Sequence, residues 1–228
     1  MQIWSHRGRT DGAGSPADNT PDALTLVAAL GLVAVEIDTW RTADGHFVVG
    51  HDRDTPAGLV DTLERAAVSR PDLADLLDAA PLDTVNVELK VPPGATAREG
   101  AALGAALAGA LGAWTAPRSR GPEVVVSSFS RAATDAVAAA APGLPVSLLC
   151  SDPPGPERLR ALGDDGYWGL HARGTGLDGA EIEAIHAAGL AVVAWTVNDP
   201  DLAVRLMDAG LDAVITDVPL ALQQRIGG

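Results

Sequence analysis

Three carboxylates stand at the ends of apolar runs, where buried strands would finish. Glu36 and Asp38 are two residues apart, so on a strand both side chains point to the same face, and Glu88 lies in a later run at 84–89. Close carboxylates repel one another unless a cation lies between them. Three hard oxygen ligands suit one divalent cation, Mg²⁺ or Ca²⁺. The other interpretation is a salt-bridge network with neighbouring Arg and Lys side chains.

Two histidines accompany these acids. His6 ends the first apolar run, and His51 precedes Asp52, a candidate acceptor for a proton on its ring. Histidine suits proton transfer near neutral pH because its unperturbed pKa is about 6.5. A single histidine at a strand end is more often structural, so the pair gains weight only beside the acidic cluster. The other histidines are interpreted as surface or packing residues: His46, His171 and His186.

Two basic residues flank the same positions. Arg7 follows His6, and Lys90 is two residues after Glu88. Arginine offers a bidentate fork to a phosphate and lysine offers a point charge, so both are candidate phosphate contacts. Their other predicted role is to neutralise the neighbouring carboxylates, and the two roles are compatible.

These side chains require a scaffold on which several strands end at one rim. Short β-rich runs alternate with Ala- and Leu-rich stretches of helical period, which is typical of βα units around a parallel sheet. The predicted strands are 2–6, 33–38, 84–89, 123–128, 145–149, 167–171, 191–196 and 213–216. The predicted helices are 20–30, 62–78, 95–115, 130–140, 156–163, 178–188, 199–209 and 219–226. This pattern predicts one α/β domain over residues 1–228, a (β/α)₈ TIM barrel, with an open doubly wound sheet as the alternative.

One apolar run does not fit the alternation. Residues 47–51 begin only nine positions after Asp38 (47 − 38), too few for the crossover that a parallel strand needs. Asp44-Gly45 is a strong signal for a hairpin turn. We therefore expect a β-hairpin after the second strand, which returns His51 toward the end of that strand.

Charge and cysteine content limit the function classes. The formal net charge of −14 argues against a nucleic-acid partner, because phosphate backbones are bound by clustered Lys and Arg. The chain has no signal-peptide pattern and no apolar run near the ~18 residues of a membrane span, so we expect a cytoplasmic protein without stable membrane insertion. The single cysteine, Cys150, is expected to be a buried thiol in a reducing compartment. The oligomeric state stays open.

Eight short motifs extend this pattern over most of the chain. In order they are His6-Arg7-Gly8, Asp18-Asn19-Thr20, Glu36-Ile37-Asp38, Thr42-Ala43-Asp44-Gly45, His51-Asp52, Glu88-Leu89-Lys90, Trp195-Thr196-Val197-Asn198 and Thr216-Asp217-Val218-Pro219. They resemble the motifs of the glycerophosphodiester phosphodiesterase family, a branch of the phospholipase-C-like TIM-barrel phosphodiesterases. The resemblance implies a phosphoric diester hydrolase that acts on a small-molecule phosphodiester.

The resemblance also implies a role for each candidate residue. The implied metal ligands are Glu36, Asp38 and Glu88. The implied acid and base are His6 and His51. The implied phosphate contacts are Arg7 and Lys90. Trp195 then looks like a wall of the pocket for the alcohol moiety, and Phe129 is either a second wall or core packing.

Two departures from the family pattern bear on the substrate. Asp18 stands where the family commonly has Glu, and its shorter reach is expected to weaken a contact to the His-Arg-Gly loop. Only 36 residues separate His51 from Glu88 (88 − 51 − 1), where family members usually carry a longer insertion that caps the pocket. The shortened cap leaves the alcohol moiety undefined.

The predicted function is metal-dependent hydrolysis of glycerophosphodiesters to glycerol phosphate and an alcohol by His/His acid-base catalysis. The alternatives are a lysophospholipid phosphodiesterase of the phospholipase D type and a non-catalytic barrel that binds phosphorylated ligands. The residues leave open which histidine is the base, and whether water or a substrate hydroxyl attacks first through a cyclic phosphate.

Overall fold

The computed structural model describes residues 1–10, 16–116 and 121–227. Its strands are β1 (Gln2–His6), β2 (Ala34–Arg41), β3 (Phe47–Val49), β4 (Asp54–Thr55), β5 (Gly58–Leu59), β6 (Thr84–Leu89), β7 (Glu123–Ser128), β8 (Val146–Cys150), β9 (Gly169–Arg173), β10 (Ala191–Trp195) and β11 (Ala213–Thr216). Its α-helices are α1 (Pro21–Ala29), α2 (Leu73–Ala79), α3 (Ala97–Thr115), α4 (Arg131–Ala140), α5 (Pro156–Asp164), α6 (Gly179–Ala187), α7 (Pro200–Asp208) and α8 (Pro219–Gly227). From β6 onward strands and helices alternate, which is the βα repeat that the sequence predicts.

Eight of the strands in the described residues form a closed parallel barrel. Around the barrel the order is β1, β2, β6, β7, β8, β9, β10 and β11, and β11 pairs back with β1, for example through Gln2 and Ala213. This last pairing closes the sheet, so the predicted (β/α)₈ TIM barrel is confirmed and the open sheet is ruled out. Because all eight strands run parallel, their C-terminal ends meet at one rim.

Alternation along the strands separates two apolar layers. On β2, Val35 and Ile37 are fully buried in the outer layer against the helices. Glu36 and Asp38 alternate with them and therefore point to the barrel interior. The apolar side chains of the interior layer are Trp4, Ala34, Val125, Val193, Ala213 and Ile215. The acids therefore stand above a packed floor, at the C-terminal end of β2.

His171 lies in this interior without a hydrogen-bond partner among the described residues. Its side chain is fully buried, and its ring centroid lies 5.8 Å from that of Trp4 and 6.4 Å from that of Trp168. Burial lowers the pKa of His171 to about 3. The folded protein therefore keeps a neutral imidazole there at neutral pH, which fits the predicted packing role.

We expect His171→Leu to reduce the loss of stability on acidification. Below about pH 6.5 the unfolded chain binds a proton at His171, whereas the folded state stays neutral down to about pH 3. The free energy of unfolding therefore falls by about 1.4 kcal/mol per pH unit within that window, and the substitution should recover about 2 kcal/mol at pH 5 relative to pH 7. Urea unfolding at both pH values measures this difference. His46→Leu is the control, and an effect of His171→Leu that is equal at both pH values would contradict the prediction.

The hairpin predicted after the second strand is present. β2 and β3 pair antiparallel, and Gly45 makes the turn with a φ of 97°. The Gly50 amide donates to the Asp38 carbonyl at 2.9 Å, and the Trp40 indole donates to the His51 carbonyl at 3.0 Å. The hairpin therefore returns His51 to the rim at which Asp38 lies.

The predicted helix 62–78 is wrong over most of its length. Shorter elements take its place: 3₁₀ turns at Val60–Thr62 and Arg65–Ala67, and α2 at Leu73–Ala79. The Arg65 guanidinium donates to the Asp72 carboxylate and to two backbone carbonyls, which stabilises a loop. Pro71 disfavours the helical conformation in the residue before it, so the helix begins only after it.

The other predicted elements occur with small shifts. The remaining helices lie within two residues of their predicted bounds. β2 extends to Arg41 because its end pairs with β3, and the predicted strand 167–171 lies two residues later, so that it ends at Arg173. None of the described helices combines the length and hydropathy that crossing a membrane requires.

Candidate active site

The three predicted carboxylates converge at the rim of the barrel. Asp38 and Glu88 are register partners on the adjacent strands β2 and β6. Glu36 lies two residues before Asp38, on the same face of β2. One carboxylate oxygen from each of the three residues lies within 4.8 Å of the others. Two neighbouring strands thus bring together the group that the spacing of the acids predicts.

Glu36 has no hydrogen bond to either carboxylate oxygen from any described residue, although the residue is only 3% exposed. Burial raises the pKa of Glu36 well above its usual range, and the charges of Asp38 and Glu88 raise it further. Burial also raises the pKa of Glu88. A buried carboxylate without donors is costly, so this position favours a cation.

The two basic residues contact the acids, as their neutralising role requires. The Lys90 ammonium lies 2.8 Å from Asp38 Oδ1 and 2.5 Å from Glu88 Oε1, and Arg7 Nε lies 3.0 Å from Asp38 Oδ2. Burial opposes ionisation of Asp38, but Lys90 and Arg7 outweigh it and hold the pKa of that carboxyl below its usual value. Glu36 contacts neither base within 4 Å, which leaves it the least compensated of the three acids.

The turn after β1 has a backbone that depends on glycine. Arg7 has a φ of 59° and Gly8 one of 77°, both in the left-handed region. A Cβ at Gly8 would lie 2.8 Å from the Cβ of Ala23 on α1. The Arg7 amide donates to the Glu36 carbonyl at 2.8 Å, so the turn is tied to β2 beside the acids.

Asn19 positions Asp38, a role that the sequence did not reveal. The Asn19 side-chain Nδ2 donates to Asp38 Oδ2 at 3.1 Å, and its Oδ1 accepts from the backbone amide of Asp38 at 3.2 Å. The backbone amide of Asn19 donates to the Arg7 carbonyl. Its neighbour Asp18 pairs with Arg9 at 2.7 Å. The loop before α1 therefore braces both the acid cluster and the turn after β1.

His6 is oriented by a carboxylate directly after the last strand of the barrel. Its Nδ1 lies 2.7 Å from Asp217 Oδ1, and its Nε2 lies 3.8 Å from Glu36 Oε2. Asp217 also accepts from Arg9 at 2.8 Å and from Asn198 at 2.7 Å. Although burial works the other way, the hydrogen bonds from His6 and Asn198 hold the pKa of Asp217 well below its usual range. Asp217 therefore fixes the ring so that Nε2 faces the acids.

His51 has a simpler and more exposed pairing. Its Nδ1 lies 2.8 Å from Asp52 Oδ1, which is the contact that the sequence order suggested. The hydrogen bond from His51 lowers the pKa of Asp52. The His51 side chain is 43% exposed, against 15% for His6. The two imidazoles thus share one type of partner but differ in their access to solvent.

Both histidines line one cavity of about 160 Å³ at the rim. The candidate residues that line it are His6, Arg7, Glu36, His51, Glu88, Lys90, Phe129 and Trp195. Phe129 is 52% exposed and meets the Trp195 ring edge-on, with 5.4 Å between centroids. This exposure contradicts core packing for Phe129 and makes it, with Trp195, an aromatic wall of the cavity. The cavity therefore joins acids, bases and an apolar wall.

The remaining histidines and the cysteine lie away from this cavity. His46 is on the exposed hairpin, His186 lies 2.9 Å from Asp212, and His171 is packed in the barrel. Cys150 is partly rather than fully buried, and burial raises the pKa of its thiol to about 11. None of them lines the cavity in the part of the chain that the structure describes.

Comparisons with known proteins agree with this geometry. A model of the glycerophosphoryl diester phosphodiesterase family matches residues 57–221. A probable glycerophosphodiester phosphodiesterase 2 from Mycobacterium tuberculosis is 31% identical in an alignment that covers 87% of this chain and 81% of the relative. The chain belongs to the glycerophosphoryl diester phosphodiesterase family. The resemblance of the sequence motifs is thereby confirmed, and the enzyme is a phosphoric diester hydrolase.

Solved structures of phosphodiesterases share the whole fold. A phosphodiesterase from Oleispira antarctica, in complex with the product sn-glycerol-3-phosphate, is 26% identical, with a TM-score of 0.85 over 100% of this chain and 97% of that one. A glycerophosphodiester phosphodiesterase from Parabacteroides distasonis is 22% identical, with a TM-score of 0.86 over 99% and 96% of the two chains. At 22% identity, the comparison with the Parabacteroides distasonis enzyme shows only that the two proteins share a fold. Family membership favours the enzyme over the non-catalytic barrel that the sequence left as an alternative.

Proposed function

We propose that this enzyme hydrolyses glycerophosphodiesters to glycerol phosphate and an alcohol, with one divalent cation at the three acids and two histidines as proton carriers. The observation that carries the proposal is the cavity lined by His6, His51 and the unpaired carboxylate of Glu36. The product bound by the Oleispira antarctica phosphodiesterase supports glycerol phosphate as the product here.

The donor set fits a hard divalent cation. Glu36, Asp38 and Glu88 offer carboxylate oxygens within 4.8 Å of one another, and both Glu36 oxygens lack donors from the described residues. Mg²⁺ and Ca²⁺ both accept such ligands, with further oxygens from water and substrate. A bound cation would supply positive charge to offset the charge that develops on the phosphoryl oxygens. Arg7 and Lys90 add positive charge on the same side of the cavity.

The two histidines transfer protons at the two oxygens that change their bond to phosphorus, the attacking oxygen and the leaving oxygen. Each donates its Nδ1–H to a carboxylate, His6 to Asp217 and His51 to Asp52, so each keeps Nε2 for proton transfer. One imidazole removes a proton from the attacking nucleophile, either water or a hydroxyl of the substrate, and the other protonates the leaving oxygen. If the hydroxyl attacks, water then opens the cyclic phosphate in a second step. Asp217 and Asp52 act by positioning these rings.

We expect exhaustive chelation to lower the rate of glycerol phosphate release from glycerophosphoglycerol by at least about 10²-fold. Lys90 and Arg7 are held by Asp38, so their charges are partly neutralised and offset the phosphoryl charge less than a divalent cation would. Addition of Mg²⁺ or Ca²⁺ should restore the rate, and the better ion identifies the cofactor. Activity that survives complete chelation would remove the cation from the proposal.

A further inference from the structure

A basic residue that the sequence pattern did not single out lies against the aromatic wall of the cavity. Arg173 ends β9 and is the register partner of Trp195 on β10. Because side chains alternate along a strand, Arg173 shares the face of His171, which lies inside the barrel. The Arg173 guanidinium lies over the Trp195 ring, 5.7 Å from its centroid. The arginine is therefore part of the wall that Trp195 forms.

The charge of Arg173 is not neutralised by a neighbour in the described residues. Its guanidinium donates to the Ser151 hydroxyl at 3.1 Å, and no carboxylate oxygen of residues 1–10, 16–116 and 121–227 lies within 4 Å of it. Arg7 and Lys90, by contrast, contact carboxylates at 3.0 Å or less. Arg173 is exposed, so its remaining donors are accessible beside the Trp195 ring.

The order of strands places this arginine opposite the acids. Between β2 and β9 lie β6, β7 and β8 on one side, and β1, β11 and β10 on the other. A phosphate held near Glu36 and the histidines therefore has Arg173 on the opposite side of the barrel, beside the Trp195 ring that lines the cavity. The motif resemblance assigns Trp195 to the alcohol moiety, so we place that moiety beside Arg173.

We infer that Arg173 makes this site select hydroxyl-rich or anionic alcohol moieties and reject quaternary ammonium groups, an inference that rests on the proposed function. An aromatic wall alone would favour a quaternary ammonium group through its ring faces. Here the guanidinium already lies over the Trp195 ring, and a second cation at that wall would meet a like charge. Hydroxyl and anionic oxygens, in contrast, accept hydrogen bonds from Arg173.

The net negative charge of the chain favours cationic substrates, the opposite of the effect of Arg173, but it acts over longer distances. A charge of −14 attracts cations to the molecule as a whole. Salt screens such long-range attraction beyond about 8 Å at physiological ionic strength. Arg173 lies against the Trp195 ring, so it acts at contact distance on an alcohol moiety bound there, and its effect dominates.

The test compares two substrates of the same shape that differ in charge, and a third that is rich in hydroxyl groups. Glycerophosphocholine is paired with its uncharged isostere, in which carbon replaces the quaternary nitrogen, and glycerophosphoglycerol serves as the hydroxyl-rich substrate. We expect the kcat/KM of the isostere to exceed that of the choline ester by at least about tenfold, and glycerophosphoglycerol to be the best of the three. A choline ester that is hydrolysed as fast as its isostere would overturn the inference.

Arg173→Gln keeps a hydrogen-bonding side chain and removes the charge. The variant should bring the choline ester within about twofold of its isostere, chiefly by raising kcat/KM for the choline ester, whereas Arg173→Lys should keep the discrimination. Arg160→Gln, on the outer helix α5, is the matched control and should leave the ratio unchanged. A purely structural role of Arg173 would change the rates of both esters equally and leave the ratio at its wild-type value, which would also overturn the inference.

The same measurements separate the two levels of the proposal. Hydrolysis of all three esters without discrimination leaves the phosphodiesterase function intact and removes only the role of Arg173. Failure to hydrolyse any of the three in the presence of Mg²⁺ or Ca²⁺ would defeat the proposed function itself.

Discussion

Glu36→Gln is expected to lower turnover by at least about 10²-fold while making the chelated enzyme more stable. The side chain is buried, neither carboxylate oxygen has a hydrogen bond from the described residues, and Asp38 and Glu88 are close enough to repel its charge. Glutamine has nearly the same shape and carries no charge, so it relieves this repulsion in the absence of a cation. It also loses the negative ligand that a cation requires.

The substitution is informative because it should lower turnover but raise the stability of the chelated enzyme. In chelator, the melting temperature of Glu36→Gln should exceed that of the wild type by about 2–4 °C, which corresponds to about 1 kcal/mol for a domain of this size. Addition of Mg²⁺ or Ca²⁺ should raise the wild-type melting temperature and leave the variant nearly unchanged. Glu183→Gln, on the exposed face of α6, is the control. A variant that is less stable than the wild type in chelator would show that Glu36 has a partner other than a cation.

The barrel and the acid cluster were accessible from the sequence because both follow from local periodicity. Alternating β-rich and helical runs define the βα units, and the spacing of Glu36 and Asp38 fixes their common face whatever the strand bounds. The hairpin that returns His51 was predictable because a short connection excludes a parallel strand. Each of these inferences depends on residues close together in the chain.

The interactions that the sequence did not reveal join distant segments or depend on particular side chains. Asp217 lies 211 positions from His6 and reaches it only because the first and last strands pair. Within residues 62–78, where the composition favoured a helix, the hydrogen bonds from Arg65 to Asp72 stabilise a loop instead. Arg173 was missed because the predicted strand ended two residues too early, which hid its place at the rim. A polar residue directly after the last strand was the available signal for Asp217.

His6→Ala and His51→Ala are each expected to lower kcat for glycerophosphoglycerol by at least about 10²-fold while the fold persists. Both rings line the cavity, and each has a carboxylate that holds its Nδ1, so neither can take over the position of the other. His186→Ala, whose ring pairs with Asp212 away from the cavity, should keep the wild-type rate. Circular dichroism and the melting temperature verify that the variants are folded. A near-normal rate in either variant would remove that histidine from the mechanism.

An activated substrate assigns the two roles. A p-nitrophenyl ester of glycerol phosphate has a leaving group that departs without a proton, so loss of the general acid costs little with it, whereas loss of the general base costs as much as before. We therefore expect one of the two variants, His6→Ala or His51→Ala, to recover most of the wild-type rate on this ester, and that variant identifies the acid. Equal losses in both variants on both esters would mean that the histidines do not divide the proton transfers between attack and departure. The environments of the rings differ enough for such a division, because His6 is enclosed and tied to Asp217, whereas His51 lies at the open side of the cavity.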